Sequence, residues 1–277
     1  YLGRQTMKLF RKLFAEKILR FYEGTEGGIH LIKRLPFVRN HIKDDAFGEK
    51  SKCRLAVGIV SQIFMMLWEF IRKFLYVLLF MFIPYMIMAL FFPLIKIHQG
   101  TTIIYLFVML STICGSLANT TIFAMGDRDY LMIRVMLVSP YMNFLGKFIY
   151  KIATEFVFYF IILMIFQVPV LNSLMLCILT VCSRPIGEMF AIIAFDHFRG
   201  IYENRSVLNG TIMAICVLLA YGLPVLNRSV SPTWIYAIHP FVVLIMFLLG
   251  AGAMYFLWWY KYYRVIIREA MHNKREF

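Results

Sequence analysis

Two pairs of oppositely charged residues stand inside apolar stretches of the sequence. Arg184 and Glu188 are four residues apart, as are Lys151 and Glu155. This spacing places both members of a pair on one helix face, where they can pair with each other. An ionised side chain at a bilayer centre costs roughly 2.5 to 3.5 kcal/mol and is usually paired or cavity-facing. Arg184 and Glu188 therefore predict either a lumen-facing site that senses substrate or a structural ion pair that locks two spans together.

Lys151 and Glu155 come near the start of their apolar stretch, which is its expected cytoplasmic end. Long side chains at such a position can extend to the membrane interface, which favours a structural role for this pair. The stretch that holds Arg184 and Glu188 ends in Asp196 and His197. Together these four residues could serve an intramembrane protease or a lipid-modifying enzyme, and this is the alternative function. Against it, Asp196 and His197 fall at a loop boundary where both are readily solvated, and the EExxxR stretch of CAAX-type proteases is absent.

Signatures of soluble enzymes are missing from the sequence. It has no GxxxxGK[ST] phosphate loop, no HExxH, no GxSxG and no GxGxxG after a strand. We therefore expect no catalytic residue, nucleotide site, cofactor or metal in this chain. The cysteines are single residues without CxxC spacing, which predicts packing roles. They are Cys53, Cys114, Cys177, Cys182 and Cys216.

A long polar interruption separates two apolar stretches at residues 126–147, GDRDYLMIRVMLVSPYMNFLGK. It starts with an acidic, a basic and an acidic residue at 127–129 and continues as an apolar run over 130–138. Ser139-Pro140 follows, and a helix usually ends at or before the residue that precedes a proline. The pattern predicts a short helix between two membrane spans, which could transmit a push.

This order of features resembles the first intracellular loop of ABC exporter permeases, in the type with six spans per permease. A charged start, a leucine-rich helix, an SP turn and a GK pair precede the third span in that family. The resemblance implies that the loop is a coupling helix, which docks into a groove on a separate ATPase subunit. It implies that this contact is made or shaped by Asp127, Arg128, Asp129, Tyr130, Arg134, Ser139 and Pro140.

The composition fits a membrane protein. Of the 277 residues, 61% are hydrophobic and 17% aromatic, more than a water-soluble domain buries in one core. We predict an all-α, polytopic helix bundle. The formal net charge of +14 is best explained by Lys and Arg in cytoplasmic loops, so we expect no nucleic-acid partner.

The chain divides by composition into four parts. Residues 1–54 hold 13 Lys or Arg against six Asp or Glu, which predicts a basic amphipathic arm with a linker. Residues 55–73 predict an interfacial connector helix, with one longer helix running into the membrane as the alternative. Residues 74–260 predict the six-helix transmembrane domain, which includes the cytoplasmic coupling loop 125–147, and residues 261–277 predict a cytoplasmic tail. Six spans are predicted at 74–97, 101–124, 148–171, 173–195, 207–226 and 236–260.

Lys and Arg outside the spans concentrate in the arm, the 125–147 loop, the 196–206 loop and the tail. By the positive-inside rule these segments are cytoplasmic, which predicts a multi-pass protein of the cytoplasmic membrane with both termini inside.

Taken with the resemblance, these features predict a permease subunit of an ATP-driven exporter. Its expected partners are ATP-binding subunits that hold ATP and Mg, a second permease that is a copy or a different chain, and membrane lipids. The substrate class is an amphipathic peptide, a hydrophobic drug-like molecule or a lipid-linked molecule. The intramembrane enzyme and a non-catalytic structural or sensory membrane protein stay open.

Overall fold

The computed structural model describes residues 52–123, 139–197 and 205–260, and all elements in these ranges are helical. Within these ranges six helices are long and apolar enough to cross a membrane, which confirms the predicted all-α polytopic bundle. We number them α1 to α6 in chain order. They are Ile59–Phe91, Gln99–Ala118, Pro140–Ile165, Val170–His197, Ser206–Asn227 and Pro240–Trp259.

The chain divides into two compact units, Tyr1–Phe74 and Leu75–Phe277. The described part of the first unit belongs to one α-helix, Lys52–Val77, which continues into the second. Glu69 and Lys73 form an ion pair of 3.4 Å one turn apart in this helix. The predicted boundary between a connector and a span at Lys73 falls inside this helix.

In the second unit, α1 includes a π-helical turn at Leu78–Phe82 and continues as the α-helix Ile83–Phe91. A short helix, Pro93–Ile97, connects it to α2. The buried side chains of α1 recur every three or four residues and so form one stripe along the helix. They are Val77, Met81, Tyr85 and Met88.

Helices α2 and α4 form the interior of the second unit. In the 18-residue apolar segment of each of these helices, 67% is buried, compared with 11% in α5. Helix α4 packs most extensively against α6 and also contacts α3 and α2, whereas α5 packs mainly on α2. A 3-10 helix, Pro232–Ile238, precedes α6 and contacts α2. Residues near the middle of α2 and α4 are therefore held by neighbours on most sides.

An apolar cluster closes the end of the bundle from which the 124–138 loop leaves. It joins the chain that follows α2, the start of α3, the end of α4 and the end of α6. We call it the loop-end cluster. Its buried members are Ile122, Phe144, Phe148, Ile192, Phe195 and Leu257.

Two helix bounds differ from the sequence prediction near this cluster. Helix α3 begins at Pro140 instead of 148, with Ser139 as its N-cap and the Met142 N–H donating to the Ser139 hydroxyl at 3.4 Å. Helix α2 ends at Ala118 instead of 124, because Asn119 leaves the helical conformation with φ −109° and ψ 57°. The segment between the two spans is therefore longer at its start and shorter at its end than predicted.

Candidate functional site

The charged residues of α3 and α4 pair across the two helices. The Arg184 Nε donates to Glu155 Oε2 at 2.6 Å, and both side chains are buried. Arg184 therefore pairs with Glu155 of α3 and not with Glu188 of its own helix, so the ion pair joins two spans, as in the structural alternative. Burial of Glu155 also rules out the expected extension of this side chain to the interface. The ion pair fixes how α3 and α4 are aligned.

Lys151 and Glu188 face each other in the same alignment. Helices α3 and α4 form an antiparallel hairpin, with Lys151 four residues before Glu155 and Glu188 four residues after Arg184. The Lys151 ammonium lies within electrostatic range of the Glu188 carboxylate. Opposite charges therefore face each other at two successive levels along the hairpin. Glu155 faces Arg184 at the first level, and Lys151 faces Glu188 at the second, one helical turn away.

The chain that follows α2 passes through the second of these levels. Glu188, which is 2% exposed, accepts hydrogen bonds from the backbone N–H of Thr121 and, at 3.1 Å, of Ile122. Lys151 donates to the Asn119 carbonyl oxygen and, at 3.3 Å, to the Thr121 hydroxyl. We call residues 119–122 the clamped turn. The clamped turn is thus bound by one positively charged and one negatively charged side chain.

The early end of α2 explains why the backbone of the clamped turn needs hydrogen-bond partners from other helices. The last carbonyl groups of a helix lack intrahelical donors, and non-helical backbone at membrane depth must find partners in the protein. Thr120 and Ile122 are still buried after α2 has ended. Lys151 binds a terminal carbonyl, as basic side chains do at helix C-termini. Glu188 binds two successive N–H groups, an arrangement that suits an anion.

A second polar group of residues connects α2 with α4 deeper in the bundle. A π-helical turn of α2, Val108–Cys114, contains Thr112, whose hydroxyl lies 3.2 Å from that of Thr180. Ser183 also donates to the Thr112 carbonyl oxygen at 3.4 Å. Such π-turns free backbone groups and are frequent at functional sites. The interior contact of α2 with α4 is therefore partly polar along its length.

Asp196 and His197 lie at the end of α4, away from the buried pair. Asp196 accepts hydrogen bonds from the Tyr260 hydroxyl at 3.1 Å to each oxygen, and His197 Nδ1 lies 2.9 Å from the Ile193 carbonyl oxygen. At 1.5 Å per residue, Glu188 and Asp196 are about 12 Å apart along the helix. The four residues of the enzyme hypothesis are thus not brought to one point.

The residues predicted to contact an ATPase lie mostly outside the described ranges: Asp127, Arg128, Asp129, Tyr130 and Arg134. Ser139 and Pro140 are described, and they begin α3. Phe123 and Tyr141, on the two sides of the loop, both pack against the loop-end cluster. The 124–138 segment is thus anchored at both ends on the same cluster.

Sequence reasoning missed Asn119, Thr121 and Ile122 as parts of the site. Two of the bonds to Glu188 come from backbone N–H groups, which every residue except proline carries, so residue identity gives no signal. The sequence does contain a signal for the pairing between α3 and α4. If two consecutive spans form an antiparallel hairpin, Lys-x-x-x-Glu followed by Arg-x-x-x-Glu matches opposite charges between them.

The described residues contain no group of three or more His, Cys, Asp or Glu that could hold a metal ion. Six apolar helices around a buried, charge-paired interior define a multi-pass helical membrane protein. Comparisons with known protein families, with curated proteins and with solved structures find no match.

Proposed function

We propose that this chain is the permease subunit of an ATP-driven exporter of the ABC type, and that its 127–140 loop receives the movement of a separate ATPase subunit. The observation that carries the proposal is the anchoring of this loop. Its chain leaves through the clamped turn, held by Lys151 of α3 and Glu188 of α4. It returns at Ser139, the N-cap of α3. A displacement of the loop would thus act directly on two spanning helices.

The proposal includes the partners that such a permease needs. ATP and Mg would be bound by the ATPase subunits, and a second permease would complete the pore. We place the chain in the cytoplasmic membrane with both termini inside, on the strength of the Lys and Arg distribution.

The proposed substrate is an amphipathic peptide, a hydrophobic drug-like molecule or a lipid-linked molecule. This class rests on the apolar composition of the spans, which would give the transport path an apolar lining.

Charge reversal in the loop tests the proposal. The tagged chain is extracted into nanodiscs from its native membrane, and the proteins that accompany it are quantified together with ATP hydrolysis. We expect the parent chain to retain an ATPase subunit in about equal amount. The variant with Asp127→Lys and Asp129→Lys should insert normally and lose that subunit, because reversed charges oppose the docking contact.

The matched control is Glu203→Lys, a charge reversal in the 198–204 segment, which should leave the association unchanged. If the double variant keeps both its ATPase subunit and hydrolysis, the loop is not the contact. A parent chain that survives extraction without any ATPase would overturn the permease assignment itself.

A further inference from the structure

Thr121 lies between two opposite charges. Its N–H donates to Glu188, and its hydroxyl accepts from Lys151 at 3.3 Å. Lys151 and Glu188 stand in the same helix alignment as Glu155 and Arg184, which meet directly at 2.6 Å. The clamped turn therefore occupies the space in which a second direct ion pair between α3 and α4 would form.

We propose that the clamped turn is a removable wedge and that the bundle has two arrangements. In the clamped arrangement, Glu188 and Lys151 bind the turn. In the released arrangement, the turn withdraws and Lys151 pairs directly with Glu188. The inference rests on the proposed function only in naming the loop as the part that a partner moves.

The argument for a second arrangement comes from the burial of Glu188. A buried carboxylate that loses its partners is strongly unfavourable, so withdrawal of the turn from Glu188 alone would be blocked. Lys151 already faces Glu188 and carries the charge that can replace the two lost N–H donors. A direct pair of Lys151 with Glu188 would thus be a second arrangement in which the buried charges are compensated. A two-state element requires two such arrangements.

Ile122 makes the clamped arrangement the resting one. Its side chain is fully buried in the loop-end cluster, while its N–H binds Glu188. Withdrawal of the turn must take this side chain out of the cluster, and the lost apolar burial opposes release. The accessibility of residue 122 therefore reports which arrangement is populated.

Cysteine labelling in the full chain tests the wedge. A cysteine-free version carrying Ile122→Cys is placed in nanodiscs, and its reaction rate with a water-soluble maleimide is measured. The substitution Thr121→Val removes the hydroxyl bound by Lys151 without changing a buried charge. We expect it to raise the rate about tenfold, the effect of about 1.4 kcal/mol on an opening equilibrium.

The charge exchange Lys151→Glu with Glu188→Lys separates a wedge from a static anchor. It keeps the direct pair of the released arrangement, but it removes the acceptor for two N–H groups and the donor to the Asn119 carbonyl. We expect this variant to fold, with parental elution on size exclusion, and to label faster than Thr121→Val. Thr112→Val removes a buried hydroxyl bonded to Thr180 and should leave the rate unchanged.

An exchange variant as protected as its parent would overturn the wedge. If that variant fails to fold, the labelling rate of Thr121→Val is the test. An unchanged rate in Thr121→Val would then also overturn the wedge. The chain is produced for this assay without ATPase subunits, so the labelling results do not depend on the permease assignment. Faster labelling, together with a parent chain that retains no ATPase subunit in the extraction test, would keep the wedge and remove the exporter.

Discussion

At the residue scale, the guanidinium of Arg184 is confined by its surroundings. A Cβ atom added to Gly115 would lie 2.9 Å from Nη1 of Arg184, so the absence of a side chain at residue 115 makes room for the charge. Nη1 is buried and has no hydrogen-bond partner among the described residues, whereas Nε binds Glu155. Glu155 therefore supplies the compensation that keeps this charge in the interior.

Removing one member of this pair should be worse than removing both. Glu155→Gln and Arg184→Met each leave one buried charge without its partner, and we expect a loss of about 3 kcal/mol in the free energy of unfolding. The double variant should be more stable than either single variant. Thermal unfolding in one detergent measures the cycle. Glu69→Gln, in the partly exposed pair with Lys73, is the control and should change stability by less than about 0.5 kcal/mol. Strict additivity of the two losses would contradict the pairing.

The partners of the site charges were harder to predict than their positions. Spacing in sequence assigns Lys151, Glu155, Arg184 and Glu188 to helix faces, but it does not say which neighbour each face meets. The pairing of Arg184 with Glu155 is set by the packing of the hairpin. The bonds from Glu188 to the clamped turn depend on where α2 ends, which hydropathy does not indicate.

At the element scale, glycines bring α4 close to two other helices. A Cβ at Gly187 would overlap the Ser116 carbonyl oxygen of α2 and lie 2.7 Å from its carbonyl carbon. A Cβ at Gly250 of α6 would lie 2.8 Å from the Cys182 carbonyl oxygen of α4. Small residues permit such close backbone approach between membrane helices. Helix α4 is thus held at short range on two sides.

Alanine at these crossings should destabilise the bundle. In Gly187→Ala and Gly250→Ala the new methyl group meets backbone atoms, which cannot turn away as a side chain can. We expect each to reduce the free energy of unfolding by about 1 to 3 kcal/mol, the range for overpacked cores. Gly252→Ala on the same helix α6 meets no atom within 4 Å and should be neutral or slightly stabilising. Equal thermal stability of all three variants would show that the crossings are looser than described.

The six elements themselves were predictable, because a spanning helix needs a long apolar run and the sequence has six. Composition predicts a later start of α3 than the structure has, because Asn143 and Lys147 resemble loop residues. Asn143 is nevertheless buried at 3% exposure. The true start had its own signal, a serine N-cap followed by proline at the first helical position.

At the scale of the whole second unit, α2 connects the clamped turn with α5. The Tyr105 hydroxyl of α2 donates to the Leu219 carbonyl oxygen of α5 at 2.6 Å, and the thiols of Cys114 and Cys216 are neighbours between the same helices. Helix α5 is the least buried spanning helix and packs mainly on α2. A movement of α2 that begins at the clamped turn should therefore carry α5 with it.

Oxidation of Cys114 and Cys216 tests this connection. With Cys53, Cys177 and Cys182 replaced by alanine and a protease site inserted at 198–204, the two cysteines fall on different fragments. Copper phenanthroline should remove two protons and two electrons from the thiols and form one disulfide. Most of the cleaved protein should then migrate as one band without reductant and as two bands with it. The control, which also carries Cys216→Ser, should give two bands in both lanes, and the same result in the test protein would refute the contact of α2 with α5.

If α5 follows α2, the disulfide should leave the labelling of Ile122→Cys unchanged, since the two helices then move as one body.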